Sequence, residues 1–245
     1  MAVIHETTLK PNKLELLTDW LPTQPWYAGA DRTPLLSRRG GFRLDDPQGE
    51  VGIEFVVVTD RSGDLPCTYL TPLTYRGAPL DGAEAALVGT MEHGVLGRRW
   101  VYDGTHDPVL VAELLALFQG RAEPQEPDRS DTRDESVVHR LSDTAGLDAS
   151  TVFRAATAVS GPHGTDITVE TATEGQATGR TDSAEGVVGI QVRRVLESSA
   201  HGEAGEDADL PQGCLGTVTA AWRSADDDAE QLRGVFATLR AAARH

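Results

Sequence analysis

The run Val51-Gly-Ile-Glu-Phe-Val-Val-Val58 constrains the fold more than any other segment. β-Branched and aromatic residues dominate it, and the turn residues Asp60-Arg-Ser-Gly63 follow. A second extended stretch, from Cys67 to Tyr75, completes a predicted antiparallel hairpin. Two shorter strands are predicted at residues 89–93 and 98–102, on either side of a turn bounded by Gly94 and Gly97. Helices are predicted around this sheet. Leu14, Leu17 and Leu21 share one face of a helix over residues 13–21, with Asn12 and Glu15 as a capping box and Pro22 as the stop. Asp81 and Glu84 suit the start of a short helix over residues 83–87. Asp107-Pro108 is a strong helix start, with Asp as N-cap and Pro in the first turn. The helix it opens carries Leu110, Val111, Leu114, Leu115 and Phe118 on its apolar side and ends at Gly120. Residues 1–120 therefore read as an α+β unit, a curved antiparallel sheet with packed helices.

From about residue 121 to residue 150 the pattern changes. Pro124, Pro127 and a mixture of Asp, Glu, Arg and Ser give no hydrophobic period, and a flexible acidic linker is expected. Beyond it, residues 151–159, 165–173, 187–196, 215–222 and 234–239 are strand-like, with turns rich in Gly, Ser and Asp and an acidic loop over residues 200–210. Residues 151–245 are expected to form a small β-rich module, with Trp222 in its core.

The net charge of −16 argues against a nucleic-acid partner, which needs clustered cations. The charge divides as −6 over residues 1–120 and −10 over residues 121–245, spread rather than focused. The pairs Arg38-Arg39 and Arg98-Arg99 read as solvated surface. No membrane segment and no secretory signal are expected, because no stretch is long and apolar enough and the start lacks a basic region. Cys67 and Cys214 are too few and too far apart to frame a disulfide scaffold or a zinc site. A cytoplasmic protein with reduced thiols is expected.

The chemistry-bearing residues exclude the usual catalytic sets. Phosphoryl transfer needs a cation over the nucleotide phosphates, a catalytic aspartate and Asn/Asp ligands for magnesium. The only lysines are Lys10 and Lys13, ahead of the first predicted strand, and Asn12 is the sole asparagine. No glycine-rich phosphate loop, metal-binding Asp-Phe-Gly or nucleophile elbow occurs. The seven histidines show no metal-ligand spacing. His106-Asp107 has the types of a general base and its orienter, but adjacent residues point apart and Asp107 reads as a helix cap. No catalytic residue, cofactor or metal is therefore expected. Trp26, Tyr27, Trp100 and Tyr102, with Trp20, could stack on a sugar or a partner. In so aromatic-poor a chain such residues more often anchor a core, and that reading is preferred.

Two stretches carry a family resemblance: Trp20-Leu-Pro-Thr-Gln-Pro-Trp26-Tyr27-Ala-Gly29, and the segment from Tyr69 to Pro108 with Tyr69-Leu-Thr-Pro72-Leu-Thr-Tyr75, Val88-Gly89 and Val101-Tyr102-Asp103-Gly-Thr-His106-Asp107-Pro108. In order and spacing they resemble the N-terminal cap region of actinobacterial maltokinases, over roughly residues 5–120. The resemblance implies a cap-like α+β fold, with the C-terminal strands as a remnant of the family's intermediate region. It also implies a link to bacterial maltose, trehalose and α-glucan metabolism. No catalytic position can be carried over, since no kinase-like lobe is recognisable. The expectation is a stand-alone, non-catalytic accessory protein with a protein partner in that metabolism. The alternative is a carbohydrate-binding module for maltose or a related α-glucan, and an uncharacterised enzyme comes third.

Overall fold

In a computed structural model, residues 9–29, 32–129, 131–148, 150–173, 185–197 and 210–242 are described. Among the described residues two α-helices stand beside twelve strands: α1 (Lys13–Trp20) and α2 (Pro108–Phe118). The strands are β1 (Leu9–Lys10), β2 (Leu36–Asp45), β3 (Gly52–Asp60), β4 (Cys67–Arg76), β5 (Leu87–His93), β6 (Gly97–Asp103), β7 (Val138–Leu141), β8 (Thr151–Gly161), β9 (Gly164–Thr173), β10 (Glu185–Val192), β11 (Gly216–Arg223) and β12 (Gln231–Ala241). The architecture is thus predominantly antiparallel β, which corrects the expected α+β class. The residues expected to form a helix near Ala83 make only a single 3-10 turn, Glu84–Ala86.

One sheet runs through the chain in the order β1-β5-β6-β4-β3-β2-β11-β12-β10-β9-β8, with β7 pairing β11 beside β2. The sheet also curls back on itself. Beyond β10 the chain pairs on one side with β12, where the Arg193 N–H donates to the Phe236 carbonyl at 2.9 Å. On the other side it pairs with β4: the Leu70 N–H donates to the Arg194 carbonyl at 2.9 Å, and the Leu196 N–H to the Thr68 carbonyl at 2.8 Å. Residues 193–196 therefore close a ring through β4, β3, β2, β11 and β12. Closure leaves those strands without a free edge.

β3 shows why its sequence is a continuous apolar run. Ile53, Phe55 and Val57 point into a large core, while Val56 and Val58 face a second core under α1. A strand covered on both faces needs no polar alternation. The large core is shared by both ends of the chain. Phe42 stacks on Phe55 at 4.5 Å between ring centroids and lies 6.0 Å from Phe236, which lies 6.0 Å from Trp222. α2 is apolar nearly all round, as a helix enclosed by a sheet must be; Leu110, Val111 and residues 114–118 are all buried. Asp107 caps it, accepting from the Val109 N–H at 2.9 Å, and Gly120 takes the left-handed conformation beyond its end at φ 69°.

The described residues between 121 and 150, a stretch expected as a flexible linker, are fastened along the seam between β2 and β11. Gln125 and Arg43 exchange backbone hydrogen bonds at 2.9 Å each, and β7 pairs with β11 from Gly216↔Leu141 to Thr219↔Val138. Val137 and Leu147 enter the shared core. Their apolar residues are too sparse to show a period, and the pairing depends on strands distant in sequence.

Candidate functional site

The expected aromatic residues fall into two separate groups. In the first, Pro22 and Pro25 bend the chain after α1 and bring Trp26 over β4. Trp26 meets Trp20 edge-on at 5.7 Å, Tyr69 lies 5.9 Å from Trp26, and Tyr27 lies 5.5 Å from Tyr69. Trp26 is 2% exposed, so its indole belongs to the core. Tyr27 is half-buried, and its hydroxyl donates to Asp60 at 2.8 Å. Burial, reinforced by Asp60, pushes the Tyr27 hydroxyl pKa up to about 12. Burial opposes the Asp60 carboxylate, yet donors from Ser62, Tyr27 and Leu35 outweigh it and hold its pKa below the ordinary value.

In the second group, Trp100 and Tyr102 pack with Leu80, Ala83 and Ala86. Tyr102 is 3% exposed and accepts from the Leu80 N–H at 2.9 Å. Trp100 is half-buried, with the Arg98 guanidinium 5.6 Å from its ring centroid. Trp26 and Tyr27 thus sit in one cluster and Trp100 and Tyr102 in another, so the four do not form a shared stacking platform.

A buried polar centre lies beside the first group, and it was not legible as a motif. Asp103 ends β6 and accepts from the Thr105 N–H at 3.1 Å, which starts a 3-10 turn. A Cβ on Gly104 would meet the tip of the Leu110 side chain, so glycine lets this turn press against α2 without moving Leu110. Arg194 enters from beyond β10, fully buried. Its Nη2 donates to both Asp103 oxygens at 2.8 and 2.6 Å and to the Thr105 hydroxyl at 2.9 Å, while Nε donates to Thr165 at 2.8 Å. The guanidinium also lies 5.0 Å from the Trp26 ring centroid. A buried charge needs such partners. The centre holds together β6, β9 and the chain after β10. Its hydroxyls and carboxylate are engaged with one another, and it staples these segments together.

His106 and Asp107 take the roles that local sequence assigns. Asp107 is fully buried, caps α2 and receives Nε and Nη2 of Arg76, both at 2.6 Å. His106 is exposed, and its side chain makes no hydrogen bond or ion pair among the described residues. Arg38 and Arg39, read as solvated surface, instead make ion pairs: Arg38 with Glu54 and Asp128, Arg39 with Asp228. Glu54 lies buried under α1 and accepts from Lys13 Nζ at 2.5 Å and from the Tyr75 hydroxyl at 2.9 Å. Burial opposes its carboxylate, but Lys13 and Arg38 outweigh that and hold its pKa below the ordinary value.

Among the described residues no group of three or more His, Cys, Asp or Glu side chains is placed to hold a metal, and no helix is long and apolar enough to cross a membrane. A groove of about 460 Å³ opens next to His106, between the 3-10 turn Glu84–Ala86 and β8.

No curated protein matches the chain. The family model of the maltokinase N-terminal cap domain matches residues 20–107, from the end of α1 through β6 to the cap of α2. Both aromatic groups and Asp103 fall inside that match, and Arg194 and the strands from β7 onward fall outside it. Residues 20–107 of this chain are a maltokinase N-terminal cap-like segment.

Proposed function

We propose that this chain is a non-catalytic accessory protein that works by protein contact, in the cytoplasm, in the metabolism of maltose, trehalose or α-glucan. The observation that carries this reading is the cap match at residues 20–107 in a sequence without the phosphoryl-transfer set. The few residues of the right type already have other tasks. Lys13 pairs with buried Glu54, and the side chain of Asn12, the sole asparagine, accepts from the Glu15 N–H at 3.0 Å to cap α1. A sugar-binding role draws less support, because stacking on a sugar needs exposed rings on one concave face, and Trp26 and Tyr102 are buried.

Affinity capture from a native extract tests the reading. An enzyme of α-glucan or trehalose metabolism is the expected partner. Repeated capture of nothing specific by monodisperse protein would sink the accessory role. In parallel, the chain with ATP, magnesium and maltose is expected to form no sugar phosphate above the protein-free control. Reproducible maltose 1-phosphate would overturn the non-catalytic part.

A further inference from the structure

The chain contains two Asp-Gly pairs, Asp81-Gly82 and Asp103-Gly104, and the fold treats them in opposite ways. Asp-Gly is the aspartyl sequence most prone to rearrange its own main chain. The glycine nitrogen attacks the aspartyl carboxyl to close a five-membered succinimide, and glycine has no Cβ to hinder the approach. Whether a pair reacts depends on how freely the carboxyl can swing onto that nitrogen.

At Asp81 nothing among the described residues restrains it. Asp81 and Gly82 are the central residues of a turn closed by the Ala83 N–H on the Leu80 carbonyl at 3.3 Å. Both are exposed, and Gly82 stands at φ 77°, where a Cβ would meet nothing within 4 Å. The Asp81 carboxylate makes no hydrogen bond or ion pair among the described residues. The Gly82 N–H donates to Glu84 Oε1 at 3.2 Å, which places a base on the proton that the nitrogen must lose.

At Asp103 these freedoms are removed. Asp103 is 1% exposed. Both its oxygens accept from Arg194 Nη2, at 2.8 and 2.6 Å, and Oδ1 accepts also from the Thr105 N–H and hydroxyl. Gly104 lies against Leu110 and Thr74, so carboxyl and nitrogen are both held in place. The reaction must also expel one carboxyl oxygen as water, and here the guanidinium engages both.

We propose that Asp81 is a spontaneous modification site, converting to isoaspartate through a succinimide, while Asp103 is protected. In the first step the Gly82 nitrogen bonds to Cγ of Asp81 and its proton passes to Glu84. The C–O bond of the protonated carboxyl then breaks and releases water. In the second step water adds to the main-chain carbonyl carbon of the ring, the bond from that carbon to the Gly82 nitrogen breaks, and Glu84 returns its proton. One water is released and one consumed, with no oxidant or reductant. The product keeps its mass and charge, and its main chain is one methylene longer. The same turn holds the Leu80 N–H on the Tyr102 hydroxyl at 2.9 Å, and its Gly82 and Ala83 line the groove beside His106. Modification at Asp81 therefore acts on that wall of the groove.

Neither the modification nor its test depends on the accessory role. The full chain is to be aged in warm, mildly acidic buffer made with heavy-oxygen water, then digested with trypsin and read by mass spectrometry. Cleavage after arginine puts Asp81 in the peptide 77–98 and Asp103 in the peptide 100–121. Isoaspartate carrying one heavy oxygen is expected in the first peptide, and its formation in the second is expected to be about a hundredfold slower or more. Asp81→Glu, whose longer side chain cannot close the five-membered ring, is expected to leave the first peptide unmodified. Glu84→Gln is expected to slow the reaction several-fold, and the thermal melts of both variants are expected to match the parent. In urea, where neither carboxyl is held, the rates at Asp81 and Asp103 are expected to converge. Equal rates in the folded chain, or a faster reaction at Asp103, would overturn the proposal. So would isoaspartate at Asp81 that forms in urea and not in the folded chain, which would show that the turn restrains Asp81 as well. An unchanged rate in Glu84→Gln would overturn the part given to Glu84.

Discussion

The cap-like half and the C-terminal half are built from the same kind of strand, yet they become stable by different means. In the cap-like half β3 is covered twice, by α1 on one face and by the shared core on the other. In the C-terminal half β9 and β10 alternate, one face buried and the other wet. No α-helix is described after α2, and the buried face of those strands rests on α2, Phe42 and Phe55, all contributed from the N-terminal side. The first half brings two layers of its own. The second completes its core only by leaning on the first.

The largest test of this asymmetry is to cut it. A fragment of residues 121–245 is expected to lack cooperative thermal unfolding and a native near-ultraviolet circular dichroism spectrum, because its apolar face loses α2 and the cap strands. A fragment that melts cooperatively by itself would restore the picture of two independent modules.

The next test removes the staple rather than the half. Arg194→Met leaves Asp103 buried without its cation, and the expected cost is about 3–5 kcal/mol in denaturant unfolding. Adding Asp103→Asn removes the stranded charge while preserving the acceptor for Thr105, so the double variant is expected to recover much of the loss. No recovery would mean that Arg194 acts by packing on Trp26 rather than by pairing across the halves.

The same contrast explains what could be read from the sequence. Features set by near neighbours were legible: the Asn12 and Glu15 capping box, the Asp107-Pro108 start of α2, the β3–β4 hairpin and the five C-terminal strands. Features set by remote partners were not. β2 reads Leu-Ser-Arg-Arg-Gly-Gly-Phe-Arg-Leu-Asp, where arginines and a glycine pair hide the alternation. The glycines serve a bulge, with Gly41 at φ 117° against the Phe55 carbonyl, a fit that only the paired strand reveals. β7 has only four residues and exists because the edge of β11 is there to meet it. Arg194 offers no local sign of burial, since Asp103, its partner, lies ninety-one positions away. Of the four candidate aromatics, Trp26 and Tyr102 are core residues, and their split into two clusters was not legible in the sequence.

Within the cap-like half, Glu54 sets a smaller effect. Glu54→Gln removes the charge that Lys13, Arg38 and Tyr75 converge on, and is expected to cost about 1.5–3 kcal/mol near neutral pH. Its folded pKa lies below the ordinary 4.5, so its contribution is complete above that value and is lost as pH falls through the lower folded one. The variant is therefore expected to show a flatter acid limb in stability against pH. An unchanged acid limb would show that the Lys13 and Arg38 pairs contribute nothing net.

The smallest effect belongs to Tyr27, where the cap-like segment meets water. Tyr27→Phe keeps the ring against Tyr69 and deletes the hydrogen bond to Asp60, an expected cost of about 0.5–1.5 kcal/mol. The sign of its pH dependence is opposite to that of Glu54. A hydroxyl whose pKa rises from 10.0 to about 12 on folding contributes fully below 10.0 and loses that contribution as pH climbs towards 12. Tyr69 and Tyr75 are shifted in the same direction, so the variant should soften the alkaline limb without abolishing it. Parent and variant unfolding compared at neutral and alkaline pH make the check. A variant that loses the same stability at both would show that Tyr27 contributes through ring packing alone, and that the Asp60 pair is incidental to the cap-like fold.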